Sequence, residues 1–94
     1  MFIIRETFTA KPGMASKLAG LFKETFAGQA DIKLRVLTDH IGPFNTVVLE
    51  TEVDDLAAFE QRMKEYTART DIRDRMKGYA ELYTTGRREV YKTV

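Results

Sequence analysis

The sequence predicts an α+β domain in which a strand–helix–strand unit occurs twice, the two halves joined by a turn over residues 38–45. Three observations predict it. Residues 31–39 and 46–53 alternate apolar and polar side chains with period two, as half-buried strands do. Apolar residues repeat at helical spacing around 14–26 and again from 56 to 83. Between the two alternating runs lies Gly42-Pro43, a turn dipeptide, since glycine accepts unusual φ and proline fixes its own.

Residues 2–10 are rich in β-branched and aromatic types and read as the first strand. Pro12 and Gly13 end it, because proline can neither donate to a ladder nor continue one. A helix follows from about Met14, with Met14, Leu18, Leu21, Phe22 and Phe26 on one stripe and Gly28 as its stop. The two alternating runs form the second and third strands. Asp54 and Asp55 cap the next helix, whose stripe is Leu56, Phe59, Met63 and Tyr66. A break is predicted near Arg69-Thr70, with Thr70-Asp71 recapping. Ile72, Met76, Tyr79 and Tyr83 then continue the helical period up to a stop at Gly86, and 88–94 closes as the fourth strand.

Charge chemistry sets the register across the central turn. If Gly42 and Pro43 form the loop, Arg35 faces Glu50, Lys33 faces Glu52 and Leu37 faces Val48. A slip of one residue would oppose side chains from the wrong faces, and opposite-charge cross-strand pairs are worth about 0.2–1 kcal/mol each. The βαββαβ order is ferredoxin-like, with both helices on one face of a four-stranded antiparallel sheet and the third strand beside the first. Phe2, Ile4, Phe8, Ile32, Leu34, Val36, Val47, Leu49 and Val53 face the helices. Glu6 shares their parity, and a bulge is expected there. The opposite face carries Ile3, Arg5, Thr7, Arg35, Leu37, Val48, Glu50, Glu52 and Tyr91. Apolar residues among pairable charges suit a second sheet packed across a partly polar space.

Ninety-four residues make one domain, 1–94, too small to bury more than about 60–65% of its unfolded surface. Cysteine is absent, so neither disulfides nor thiolate metal sites can assist, and homodimerisation is the expected source of added stability. Fifteen Lys+Arg against fourteen Asp+Glu leave a net charge of +1, which excludes nucleic-acid or anionic-membrane binding through accumulated positive charge. The N-terminal residues do not form a signal peptide, and no apolar run approaches the ~20 residues of a membrane span. A cytoplasmic protein is expected.

The opening strand leading into Thr9-Ala10-Lys11-Pro12-Gly13 and the closing Leu82-Tyr83-Thr84-Thr85-Gly86-Arg87-Arg88-Glu89-Val90-Tyr91 resemble the dimeric α+β-barrel superfamily. Within it, the chain is similar to the NIPSNAP-like and antibiotic-biosynthesis-monooxygenase-like small proteins. The resemblance implies two ferredoxin-like subunits packed sheet to sheet. It also implies sites between helices and sheet or inside the inter-sheet barrel. Its relatives include cofactor-independent monooxygenases and isomerases of hydrophobic or aromatic molecules, and proteins of no known activity. The tryptophan often found in monooxygenase-type sites is absent, and no residue set matches haem ligation.

His40 and Glu50 are the candidate catalytic residues. A histidine titrates near neutral pH, although His40 also suits an exposed hairpin end, and one histidine beside Asp39 is not a metal-ligand set. Glu50 and Glu52 point to the side of the sheet facing the expected barrel, where buried carboxylates make general bases; the alternative is an ion-pair layer with Arg5, Arg35 and Lys33. Arg5, Arg35, Glu52 and Tyr91 are the candidate ligand-binding residues, while Tyr79 and Tyr83 read as core and Arg87-Arg88 as a solvated strand start. No metal and no cofactor is implied. An RNA-recognition module of the same strand order would need aromatic residues on its central strands, where this chain has Arg5, Thr7, Glu50 and Glu52. Two functions remain open: a small-molecule enzyme, and a non-catalytic homodimeric binding or interaction module. A pocket touching His40 or Glu50 favours the first, and Glu50 locked to Arg35 favours the second.

Overall fold

A computed structural model describes residues 1–26, 29 and 33–94. Strand β1 runs Phe2–Ala10, helix α1 Ala15–Phe26, β2 Leu34–Thr38, β3 Thr46–Val53, α2 Leu56–Ala68, α3 Thr70–Arg75 and β4 Tyr83–Lys92. All strand pairs are antiparallel, in the order β2-β3-β1-β4. The fold is the ferredoxin-like α+β expected, and the third strand does lie beside the first. Expectations for Gly28 and for the start of the second strand at 31–32 lie outside the described residues.

Register follows the charge argument. Arg35 pairs with Glu50 and Leu37 with Val48, and the ladder closes where Thr46 N–H donates to Asp39 Oδ1 at 2.9 Å. The parity of β1 then puts Ile4, Phe8 and Ala10 beneath the helices, where each is buried with Leu18, Phe22, Val47 and Leu49. Thr25 is buried on the same side of α1, its hydroxyl satisfied by donating to the Leu21 carbonyl at 2.7 Å. Asp55 caps α2, accepting from the N–H groups of Ala57 at 2.9 Å and Ala58 at 3.3 Å.

The second half departs from the sequence reading in three places. The helix does break at Arg69, but neither Thr70 nor Asp71 recaps it: Arg69 is the cap residue and makes no side-chain cap bond. The Asp71 carboxylate instead accepts from the Arg69 guanidinium at 2.7 and 3.1 Å. The helical period does not continue to Gly86. α3 ends at Arg75, Gly78 turns the chain with φ +83°, and a single 3₁₀ turn over Tyr79–Glu81 leads into β4. Tyr83 is therefore a strand residue, and its spacing from Tyr79 is not that of one helix. Gly86 lies inside β4 opposite Phe8, where a Cβ would sit 3.1 Å from the ring.

No bulge occurs at Glu6. The ladder of β1 with β3 is regular from Phe2 to Thr9, and with β4 the register shifts only between Thr9 and Ala10. Glu6 consequently points in among the apolar residues, opposite Leu49 and Arg88. Among the described residues no helix lies on the opposite sheet face, and the molecule is a slab of 36 × 35 × 20 Å.

Candidate functional site

Each face of the sheet gathers a different set of groups. On the open face, Glu50 occupies the central strand β3 between Arg35 of β2 and Arg5 of β1. Arg5 Nε and Nη2 donate to Glu50 Oε2 at 3.3 and 3.2 Å, and Arg35 Nη2 donates to Oε1. Next along, the Arg5 guanidinium carbon lies 5.3 Å from the centre of the Tyr91 ring on β4, within cation–π range. The Tyr91 hydroxyl donates to Glu89 Oε2 at 2.6 Å, and Arg87 Nε donates to Glu89 Oε1 at 3.2 Å. A continuous polar ribbon thus crosses all four strands.

The ribbon holds its groups in their resting charge states. Glu50 is only 7% exposed, yet its carboxyl titrates below the usual carboxylate value, because the Arg35 hydrogen bond outweighs the burial that opposes it, with Arg5 adding to the same side. The hydrogen bond to Glu89 raises the Tyr91 phenol, and the same bond, with Arg87, lowers Glu89. A carboxylate clamped by two guanidiniums is a weak proton acceptor. Glu50 therefore fits the ion-pair layer rather than general-base chemistry.

One consequence is testable by acidification. Glu50 keeps its ordinary value of 4.5 when unfolded and a lower one when folded, so its contribution to stability is complete above that ordinary value and is lost as pH falls through the folded one. Glu50→Gln is expected to cost about 1 kcal/mol at neutral pH, discounted for the exposure of both arginines. Urea midpoints at about pH 7 and about pH 3.5 check it: the gap between wild type and variant should shrink at the lower pH.

The other candidate residues lie apart from this cluster. His40 is exposed in the loop beyond β2, five residues from Arg35 and so roughly 16 Å along the strand direction. The structure does not bring it to Glu50. Glu52 is exposed near one end of the sheet, where it borders a cleft with Lys33, Asp54, Asp55 and Arg62. Among the described residues, no group of three or more His, Asp or Glu side chains is placed to hold a metal ion.

The helix-covered face holds a cavity of its own. A cleft of about 380 Å³ opens between α1, α2 and α3 above β1 and β3, walled by Phe8, Phe22, Phe26, Met63, Tyr66 and Tyr79. This is the size and apolar character of small-molecule sites. Its rings pack with one another: Phe8 and Phe22 centres are 5.2 Å apart, Phe22 and Tyr79 6.1 Å, and Phe26 and Tyr66 6.3 Å. Glu6 and Arg88 enter this apolar wall from adjacent strands, with Arg88 Nη2 3.5 Å from Glu6 Oε2. Burial raises the Tyr79 phenol, with smaller pushes from Tyr83 and from the Glu6 charge.

Glu6 and Arg88 were not among the sequence candidates; Arg88 is solvent-exposed, as expected, but lies within β4 rather than at its start. A signal existed: two opposite charges at inward parity on the strands flanking the first half. Tyr91 on the open face already gives Arg88 inward parity, but its register opposite Glu6 was not legible, and a bulge at Glu6 explained away the charge.

Fold and cleft together define a ferredoxin-like α+β domain with a ligand-sized space between helices and sheet. Neither a protein-family model nor a curated protein matches the sequence. Solved structures do. An uncharacterized NIPSNAP domain protein from Burkholderia xenovorans superposes with a TM-score of 0.86 at 14% identity, covering 100% of this chain and 95% of that one. A NIPSNAP family protein from Agrobacterium tumefaciens gives 0.84 at 10% identity, covering 99% and 85%. An antibiotic biosynthesis monooxygenase gives 0.72 at 16% identity, covering 100% and 99%. The chain has the fold of these proteins, as the resemblance implied; at such identities the likeness is one of fold. Among the described residues no helix is long and apolar enough to cross a membrane.

Proposed function

We propose that the chain is a homodimeric, cofactor-independent enzyme of monooxygenase or isomerase type, acting on a hydrophobic or aromatic small molecule in the cleft between helices and sheet. The observation that carries this reading is the Glu6 carboxylate, 24% exposed, set in an aromatic wall and held by one loose contact to Arg88. A carboxylate there can accept a proton from an acidic C–H or O–H of the ligand. The electron pair stays on the substrate and delocalises into its π-system. Return of the proton to a second carbon gives isomerisation, whereas capture of the carbanion by dissolved O₂ begins oxygenation. Two of the solved structures of like fold, an antibiotic biosynthesis monooxygenase among them, support the class of chemistry without supplying a substrate.

In this reading Arg5, Arg35, Glu50 and Tyr91 serve the dimer rather than the chemistry. Their ribbon neutralises the open face so that a second sheet can cover it. A non-catalytic binding module is the second reading, favoured by the lock of Glu50 between two arginines.

Exchange of solvent deuterium into carbon acids separates the two readings. Hydrophobic phenols and enolisable ketones that raise the melting temperature are incubated with the protein in D₂O and followed by NMR. Glu6→Gln is expected to lower the exchange rate by about 10²–10⁴-fold while binding persists. No exchange with any bound compound, or equal exchange by the variant, would leave the binding module. His40→Ala is expected to change neither binding nor exchange.

A further inference from the structure

We infer that the ligand of the helix–sheet cleft is an anionic aromatic molecule, an aromatic carboxylate, whose ring lies against the phenylalanine wall and whose charge is met by Arg73 and Arg88. The inference rests on the cleft being the ligand site and names the class of molecule it takes.

The charges that border the cleft do not balance. Its charged lining consists of the Glu6 carboxylate against the guanidiniums of Arg73 and Arg88, two cations to one anion. Among the described residues no carboxylate lies within ion-pairing distance of Arg73. Its neighbours on the helix are differently placed: Arg69, one turn earlier, is engaged by Asp71 and Gln29 at 2.7–3.1 Å. Arg88 is not saturated either. Its approach to Glu6 is 3.5 Å, beyond the ~2.7–2.9 Å of a charge-assisted hydrogen bond, and a guanidinium carries five N–H donors.

The position of these cations gives the orientation. Arg73 belongs to α3 at the rim, and its side chain is exposed to solvent beside the opening. Phe8 and Phe22 are buried, and with the half-buried Phe26, Met63 and Met76 they give a wall of ring and thioether. A flat apolar body inside with a carboxylate at the rim satisfies both parts, because the planar guanidinium fork matches a carboxylate bidentately. A neutral aromatic would leave the rim cations as they are. A cationic one would meet two like charges, which outweigh the attraction of the aromatic walls for a cation.

Three probes of one shape test this: 2-naphthoate, its neutral carboxamide, and 2-naphthylmethylammonium, titrated by calorimetry at neutral pH. Amide chemical shifts of Phe22 and Tyr79 report whether each enters the cleft. Naphthoate is expected to bind about tenfold or more tighter than the carboxamide, with the ammonium weakest. Arg73→Gln should reduce the preference, Arg88 alone then meeting the charge, and Arg73→Lys should keep more of it. Added salt should weaken naphthoate alone. Equal or tighter binding of the carboxamide in the cleft would overturn the anionic class and leave the cleft standing as the ligand site. If none of the three shifts Phe22 or Tyr79, the cleft reading falls, and this inference with it.

Discussion

Phe8→Ala is expected to cost about 3–5 kcal/mol of folding stability, a large part of the ~5–15 kcal/mol that holds a domain together. Phe8 is 8% exposed and joins both halves of the fold. Its ring centre lies 5.2 Å from Phe22 on α1 and 4.9 Å from Tyr83 on β4. Truncation removes the transfer energy of a ring and leaves a cavity continuous with the helix–sheet cleft that Phe8 lines. The loss should lower the melting temperature on the order of 20 °C. If the variant does not fold, Phe8→Leu gives the same test at smaller amplitude. Gly86 sharpens it. An added Cβ there meets the Phe8 ring at 3.1–3.2 Å, and Phe22 and Tyr83 pack on that ring and oppose its shift. Glycine-to-alanine normally gains ~0.4–1 kcal/mol by restricting the unfolded chain, but overpacking costs ~1–3 kcal/mol, so Gly86→Ala should destabilise. In a Phe8→Leu background the penalty should fall, giving a coupling energy of about 1 kcal/mol in a double-mutant cycle. Strict additivity in urea unfolding would show that Gly86 is not kept small for Phe8.

Local chemistry decided what could be read from the chain alone. Arg35 opposite Glu50 was legible because like parity, opposite charge and a Gly-Pro turn agree on one register, and that pairing is the centre of the open-face ribbon. The break at Arg69 was legible because a polar run interrupts the apolar stripe. The start of β4 was not. Tyr79 and Tyr83 are four apart, as on a helix, but Gly78 at φ +83° and the 3₁₀ turn intervene. A period of four spans a turn and a strand start as readily as one helix face. The charges of the cleft depended on register rather than on that start: pairing of β4 with β1 sets Arg88 opposite Glu6 on the helix-facing side. His40 drew notice for its chemistry, and only the three-dimensional arrangement shows that its loop leads away from the ribbon.

The open face carries the second large expectation: Val48→Lys should weaken the proposed dimer by about 10²-fold or more while leaving the subunit folded. Val48 lies at the middle of that face, between Thr7 of β1 and Leu37 of β2. Leu37 beside it is 40% exposed and Tyr91, farther along the same face, 45% exposed, while the charges nearby are already paired within the chain. A surface so prepared asks a partner for apolar contact and little desolvation of free charge. Its 36 × 35 Å extent accommodates the ~800 Å² per partner of a standard interface. Two-fold symmetry would bring the same patch from each copy together, so one substitution alters the contact twice. An ammonium trapped there without a partner costs about 3–5 kcal/mol, at ~1.4 kcal/mol per tenfold in affinity. In the isolated subunit the lysine extends into water, so circular dichroism and the urea slope should stay as in wild type. Sedimentation equilibrium at tens of micromolar decides the matter. A wild-type monomer would remove the dimer, and with it the reason for burying Glu50 on a face that no helix covers. A variant that dimerises as tightly as wild type would move the interface to another surface.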